Sequence, residues 1–534
     1  MNTPARLDSP TRAIRAAGNF ARRIRYSACA LLLASGSGLA CAQTWTGLGA
    51  DNNWSTSANW SSLPSSGTTT ALVFAGTTRL TPNADSPFTA QSIVFNSTAG
   101  AFTLSGSQLS INGTGADANG IENQSASLIT INNSLRLLAA SQIRATGGDM
   151  TIGGAVDLNG VSAVNFKASA GKILKMNGII SGNATGTVGF NSGGTIQLNA
   201  DNTYTATTTQ ILNATVVVGV NTNTTSGAFG NGSSQIQMGT TAAATAPTIL
   251  LGGTYTFARG ILINTPGTGV TTATLGGNTA HVSNFTGTIQ NGVGGAAAQA
   301  LTLTAASGGR VNFTASIIRS PSGTGTGTAD TLTKTGLGTV ALSGTGNNWQ
   351  GITTVQQGTL LVNGTILGGG GAVTVNSAAT LGGFGTVNRD VNILSGGVFS
   401  TGDLNASGVS TAGTLAVAGN LTFANTSLLK FDLGAISDSA SVTGNLTLDG
   451  ILDVTAASGF GVGTYTLLSY TGTFVNNNLT LNTLPSGYNY ALDVNTAGQV
   501  NLIVSAIPEP ASIAAILGGC GLLAAFGRRR RSSR

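Results

Sequence analysis

Cysteine, histidine and charge are nearly missing from this 534-residue chain. Its three cysteines, Cys29, Cys41 and Cys520, all lie near the ends. The body between them therefore has neither a disulfide framework nor a thiolate metal site. A single histidine, His281, excludes a histidine-rich metal centre. Ser-His-Asp catalysis would hang on that one residue, and no nucleophile-elbow sequence accompanies it. Only 7% of the residues are charged, and the formal charge of +6 comes from the termini. Six arginines precede Gln43 and five follow Phe526, so residues 43–505 hold 12 basic against 15 acidic side chains, a balance of −3. That balance removes the case for a nucleic-acid partner.

Acids are as scattered as they are scarce. The body has one glutamate, Glu122, and its closest aspartate pairs are Asp149 with Asp157, Asp432 with Asp438, and Asp449 with Asp453. Glycoside cleavage needs two carboxyl groups within roughly 5–10 Å of each other. Asp449 and Asp453 flank Gly450-Ile451-Leu452, and a spacing of four in a strand points both to one side. An aspartate at a strand end beside glycine nevertheless reads as a turn residue. Lys167, Lys172 and Lys175 form the only basic cluster, and the calcium-binding nonapeptide pattern is absent. No catalytic residue, metal ligand or cofactor is assigned, and a scaffold rather than an enzyme is expected.

What fills the chain is glycine, with 78 copies, together with threonine, serine, asparagine and aliphatic residues. Short alternating runs follow one another between Gly-, Asn- and Ser-containing turns, as in Gly194-Thr195-Ile196-Gln197-Leu198-Asn199, Val373-Thr374-Val375 and Leu446-Thr447-Leu448. Apolar residues at period two predict strands with one buried face. Some runs repeat. Gly338-Thr339-Val340-Ala341-Leu342-Ser343 is followed 20 residues on by Gly358-Thr359-Leu360-Leu361-Val362, with Trp349 between them. Gly194 to Asn199 is likewise followed by Ala214-Thr215-Val216-Val217-Val218, with Tyr204 between. Each intervening aromatic is expected to pack a turn.

The stretch Leu332-Thr333-Lys334-Thr335-Gly336-Leu337-Gly338-Thr339-Val340-Ala341-Leu342-Ser343-Gly344, with Trp349 and the Gly358 continuation, resembles the autotransporter-associated β-strand repeat. The opening, with Trp45, Trp54 and Trp60, is similar to the tryptophan-rich start of such proteins. The resemblance implies a right-handed parallel β-helix. The physical argument agrees: a coil of roughly 20 residues cannot bury a face alone, and stacking coils buries a continuous aliphatic column. Some 15–20 coils at about 4.8 Å each make a rod of roughly 70–100 Å. Asparagine and threonine at equivalent turn positions are expected to stack into ladders. From about Leu428 the spacing becomes hairpin-like and tyrosines collect, which points to an end cap.

Both ends read as addresses. Arg6 to Arg25 form a basic segment, Tyr26 to Leu39 an apolar one, and Ala40-Cys41-Ala42 a small-x-small site with cleavage expected before Gln43. The competing reading makes Cys41 a lipoprotein cysteine. At the other end Pro508-Glu509-Pro510 precedes the apolar run Ala511 to Phe526 and Arg528-Arg529-Arg530-Arg531. This arrangement resembles the PEP-C-terminal sorting signal of Gram-negative exported proteins. It implies recognition by an exosortase-like transpeptidase, with the run as a membrane helix and the arginines as a cytoplasmic stop. An ordinary tail anchor is the alternative. An autotransporter proper would end in membrane-barrel strands, which the arginine tail does not resemble.

The expected organisation is therefore all-β: a signal peptide over 1–42, a repeat solenoid over 43–427, a β-rich cap over 428–505 and a sorting signal with one transmembrane helix over 506–534. The expected role is an exported surface or matrix protein for adhesion, associated with exopolysaccharide or cell-surface glycans. Its other partners would be the export machinery and, before processing, the inner membrane. The alternative is a β-helix polysaccharide lyase or hydrolase.

Overall fold

The computed structural model describes residues 42–113, 119–293, 299–319, 330–404 and 410–507. Within them the chain winds into a three-faced parallel solenoid. The first face is a run of seventeen parallel strands, from Asn83–Ala84 through Thr195–Leu198 and Thr353–Val355 to Phe474–Asn476. Every pairing in it joins successive coils, so the sheet climbs in sixteen steps. The second face begins as five strands from Phe88–Ala90 to Ile180–Ser181 and resumes as ten from Thr256–Phe257 to Thr480–Leu481. Twelve strands, Gln43–Trp45 to Ile317–Arg319, open the third face, and a seven-strand sheet beginning at Thr365–Ile366 ends it.

The period-two runs behave as read. In Thr195–Leu198, Ile196 and Leu198 are fully buried while Thr195 and Gln197 are partly exposed. The 20-residue spacing of the repeats is the coil itself: Thr195 lies beside Thr215, and Thr339 beside Thr359. Coil length varies with the loops, from Val373 beside Val391 to Val216 beside Ile249. Such variation costs little because loops leave the stacked strands undisturbed.

Aromatic residues punctuate the aliphatic core. Trp45, Trp54 and Trp60 are buried against Phe74, with ring centroids 5.7–6.0 Å from it. They close the N-terminal end of the column that the first coils would otherwise expose. Farther along, Phe166, Phe190, Phe229, Phe257, Phe285 and Phe313 follow one another at 4.9–5.7 Å. Trp349 and Tyr204 are buried, as turn-packing residues.

Ladders of like residues run between coils. At one turn Asp390, Asn420 and Asn445 each accept, through Oδ1, the backbone N–H of Asn420, Asn445 and Thr473 respectively, at 2.8–2.9 Å. On the outer side of the first face the register aligns Thr195, Thr215, Thr248, Thr274, Thr302 and Thr333, one per coil. The turn ladder was expected; the mid-strand column was not.

The hairpin-like spacing expected from Leu428 onward is corrected for its first part and holds for its last strands. Leu428–Leu433, Ser439–Val442, Leu446–Leu448 and Ile451–Ala456 still stack in parallel on earlier coils. Antiparallel pairing of these late strands is confined to Gly463–Tyr470, Tyr488–Asp493 and Gln499–Ala506. Alternation alone does not distinguish a hairpin from a coil, because both bury every second side chain. Ala42 and Gln43 are described, Gln43 in the first strand. Ala40, Pro508 to Pro510 and Arg528 to Arg531 lie outside the described residues, as does the apolar run 511–526. Among the described residues no helix is long and apolar enough to cross a membrane.

Candidate functional site

The second face is where the regular coil is interrupted. Thr339, Thr359 and Thr380 line up in register on its outer side, followed by Val398. After Val398–Thr401 the chain leaves the sheet. Gly402 forms an antiparallel bridge with Gly383, and Asp403–Leu404 pairs antiparallel with Ser410–Thr411. Gly402 has φ of 80°, and a Cβ there would sit 2.6 Å from both an Asp438 carboxylate oxygen and the Thr411 carbonyl. Only glycine makes this exit.

The return hairpin folds back over the sheet and is tied there. Asp403 accepts from the Arg310 guanidinium through both oxygens, at 2.7 and 2.8 Å, and from Asn363 Nδ2 at 2.8 Å. Arg310 is held in turn by Asn312, 2.7 Å from its Nε. The two charged side chains are only 16% and 10% exposed. Ala341 and Leu361 occupy the outward row of the sheet and yet are buried, so this part of the face carries a second layer.

Between hairpin and sheet lies a cleft of about 350 Å³. Thr339, Thr359, Thr380 and Ser400 supply hydroxyls to it, and Lys430 and Asp432 stand at its far end. Lys430 lies in register with Asp453, whose carboxyl accepts from Asn482 Nδ2 and the Thr483 N–H and is held below the ordinary range. Thr401 also lines the cleft. It occupies the inward position after Phe399 and is 4% exposed, and its hydroxyl has no hydrogen-bond partner among the described residues.

Beneath the cleft Asp438 ties the hairpin to the sheet. Its two oxygens accept from the Gly413 N–H at 2.9 Å and the Asp432 N–H at 3.0 Å. Burial pushes its carboxyl up to about 6, against the pull of those two donors and with the help of the nearby Asp432 charge.

The acids paired in the sequence are engaged separately in the structure. Asp149 accepts from the Ile173 N–H, whereas Asp157 accepts from the Asn159 N–H and lies 3.7 Å from Arg136. Asp449 accepts from the adjacent Gly450 N–H, while Asp453 faces Lys430. Asp438 does approach Asp432, but through the backbone N–H of Asp432. His281 is exposed. Lys167 and Lys175 belong to different sheets, so the lysine cluster does not converge. Among the described residues no group of three or more His, Cys, Asp or Glu could hold a metal.

Three buried cations escaped the sequence reading. Lys334 Nζ donates to the carbonyls of Thr335, Gly336 and Gln357 at 2.8–3.0 Å, and burial lowers its pKa to about 8. Arg259 donates to the carbonyls of Phe229 and Ser234. Arg389 donates to the carbonyls of Leu367, Gly351 and Trp349 and lies 5.0 Å from the Trp349 ring centroid. These cations satisfy turn carbonyls that stacking leaves unpaired. Lys334 was legible, since it occupies the inward position after Leu332; the arginines follow turns and gave no signal. Arg310 and Asp403, 93 residues apart, also gave none.

No family model matches the chain. Over 214 residues it is 31% identical to an autotransporter adhesin, Adhesin BmaC of Brucella suis biovar 1. The match covers 37% of this chain and 6% of that protein, so the chain spans a small fraction of the relative's length. The similarity to an autotransporter adhesin and the parallel β-solenoid both fit autotransporter-like repeats.

Proposed function

We propose that this protein is an exported surface or extracellular-matrix scaffold that mediates adhesion and associates with exopolysaccharide or cell-surface glycans. The observation that carries the reading is the sixteen-step parallel column, low in charge and similar over 214 residues to an adhesin. A rod of this form presents many weak hydroxyl and amide contacts in register, which suits polyvalent attachment better than turnover. In this reading the coil is right-handed, as nearly all parallel crossovers are. The first 42 residues act as a signal peptide. Pro508-Glu509-Pro510 is the mark for an exosortase-like transpeptidase, and the apolar run with its arginine clamp holds the precursor in the inner membrane of a Gram-negative cell.

The test is attachment and processing together. Cells producing the protein should adhere to surfaces or matrix better than cells lacking it. Mass spectrometry of the extracellular form should show a start at Gln43 and loss of the residues after the Pro508 motif. Equal adhesion with and without the protein would refute the adhesive role, and an intact C-terminus on the extracellular form would refute the sorting role.

A further inference from the structure

We infer that the cleft under the return hairpin is a binding site for an uncharged linear polysaccharide, laid along the solenoid axis across the hydroxyls of Thr339, Thr359 and Thr380. The inference deepens the proposed glycan association and rests on it.

Three observations point to this ligand class. A cavity of about 350 Å³ is within the range of small-ligand sites, roughly 300–1,000 Å³. Its floor carries one in-register hydroxyl on each of three successive coils, at the strand spacing of about 4.8 Å. A pyranose ring with its glycosidic oxygen advances a chain by nearly the same step, so successive sugars meet successive threonines. An extended peptide advances about 3.4 Å per residue and falls out of step. It also finds no free edge, because the floor strands are paired on both sides.

Charge narrows the class further. Asp403 neutralises Arg310 through two hydrogen bonds, and Lys430 stands between Asp453 in register and Asp432 two residues on along its own strand. With its cations matched by carboxylates, the cleft gives an anionic polymer no net attraction. Lys430 and Asp432 can still make charge-assisted hydrogen bonds to neutral sugar hydroxyls. The described lining has no aromatic platform, so each sugar contributes little and affinity must grow with chain length.

The experiment is titration calorimetry of the purified full chain. The probes are neutral cello-, chito- and laminari-oligosaccharides of two to six units, and oligogalacturonates of the same lengths. At least one neutral series should bind, tightening with each added unit up to about five, the number of coil steps from Thr339 to Thr455. The double substitution Thr359→Val and Thr380→Val keeps shape and strand propensity. It should weaken binding at least tenfold and leave the melting temperature unchanged. Preference for oligogalacturonate, binding untouched by the substitutions, or no binding to any neutral series would overturn the site. Surface attachment by cells producing the double variant separates the two ideas. Attachment that persists without oligosaccharide binding sinks the cleft alone, whereas attachment absent even with the unaltered protein sinks the adhesive role.

Discussion

Lys334 shows how a charged residue can occupy a core position and serve the backbone from there. It stands where alternation demands an apolar side chain, and its ammonium caps three turn carbonyls across two coils. Lys334→Met keeps the stem and removes the donors. Leaving buried carbonyls unpaired costs about 1–3 kcal/mol, so the denaturation midpoint should fall with little change in slope. Asp438 gives a pH-dependent test. Its folded pKa of about 6 lies above the ordinary 3.8, so between these values the folded state holds a proton that the unfolded state has released. Stability from this group is therefore fully present below about pH 4 and is lost as pH rises through 6. The linkage amounts to at most about 3 kcal/mol. Asp438→Asn should flatten the stability profile between pH 4 and 6, and melting temperatures across that window would check it.

Among the elements, the return hairpin stands apart because it belongs to no face. Its attachment depends on the Arg310–Asp403 pair, which reaches back across the coils at Thr339, Thr359 and Thr380. Breaking one partner of a largely buried ion pair costs about 3–5 kcal/mol, since the other charge is left unpaired. Arg310→Ala should therefore loosen the hairpin without unwinding the strands below. In hydrogen exchange, the amides of Gly402 and Gly413 should lose protection while those of Phe399 and Leu429 keep it. Equal loss at all four would show that the hairpin supports the sheet rather than covering it.

For the whole molecule, stability is a sum of neighbour contacts along one axis. Sixteen steps of about 4.8 Å give a column of roughly 77 Å, and small-angle scattering should return an elongated particle of about that length. The phenylalanine series couples coils through the middle of the column. Phe285, stacked on Phe313 at 4.9 Å, is the residue to remove. Phe285→Ala should cost about 3–5 kcal/mol locally and split or broaden thermal unfolding, because coils on either side retain their own contacts. A single sharp transition at a uniformly lower temperature would argue against neighbour-limited cooperativity.

The sequence by itself determined the strand class, the buried rows, the coil repeat of about 20 residues and the tryptophan-rich beginning. These are local patterns, fixed by side-chain alternation and turn residues within a few positions. Tertiary structure alone decided that the chain from Leu428 to Ala456 continues in parallel coils before the last strands turn antiparallel. It also set Arg310 against Asp403 and made a roofed cleft from residues on six coils. Stacking brings together positions many tens of residues apart, and the length of each intervening loop, which carries no periodic signal, decides which ones meet.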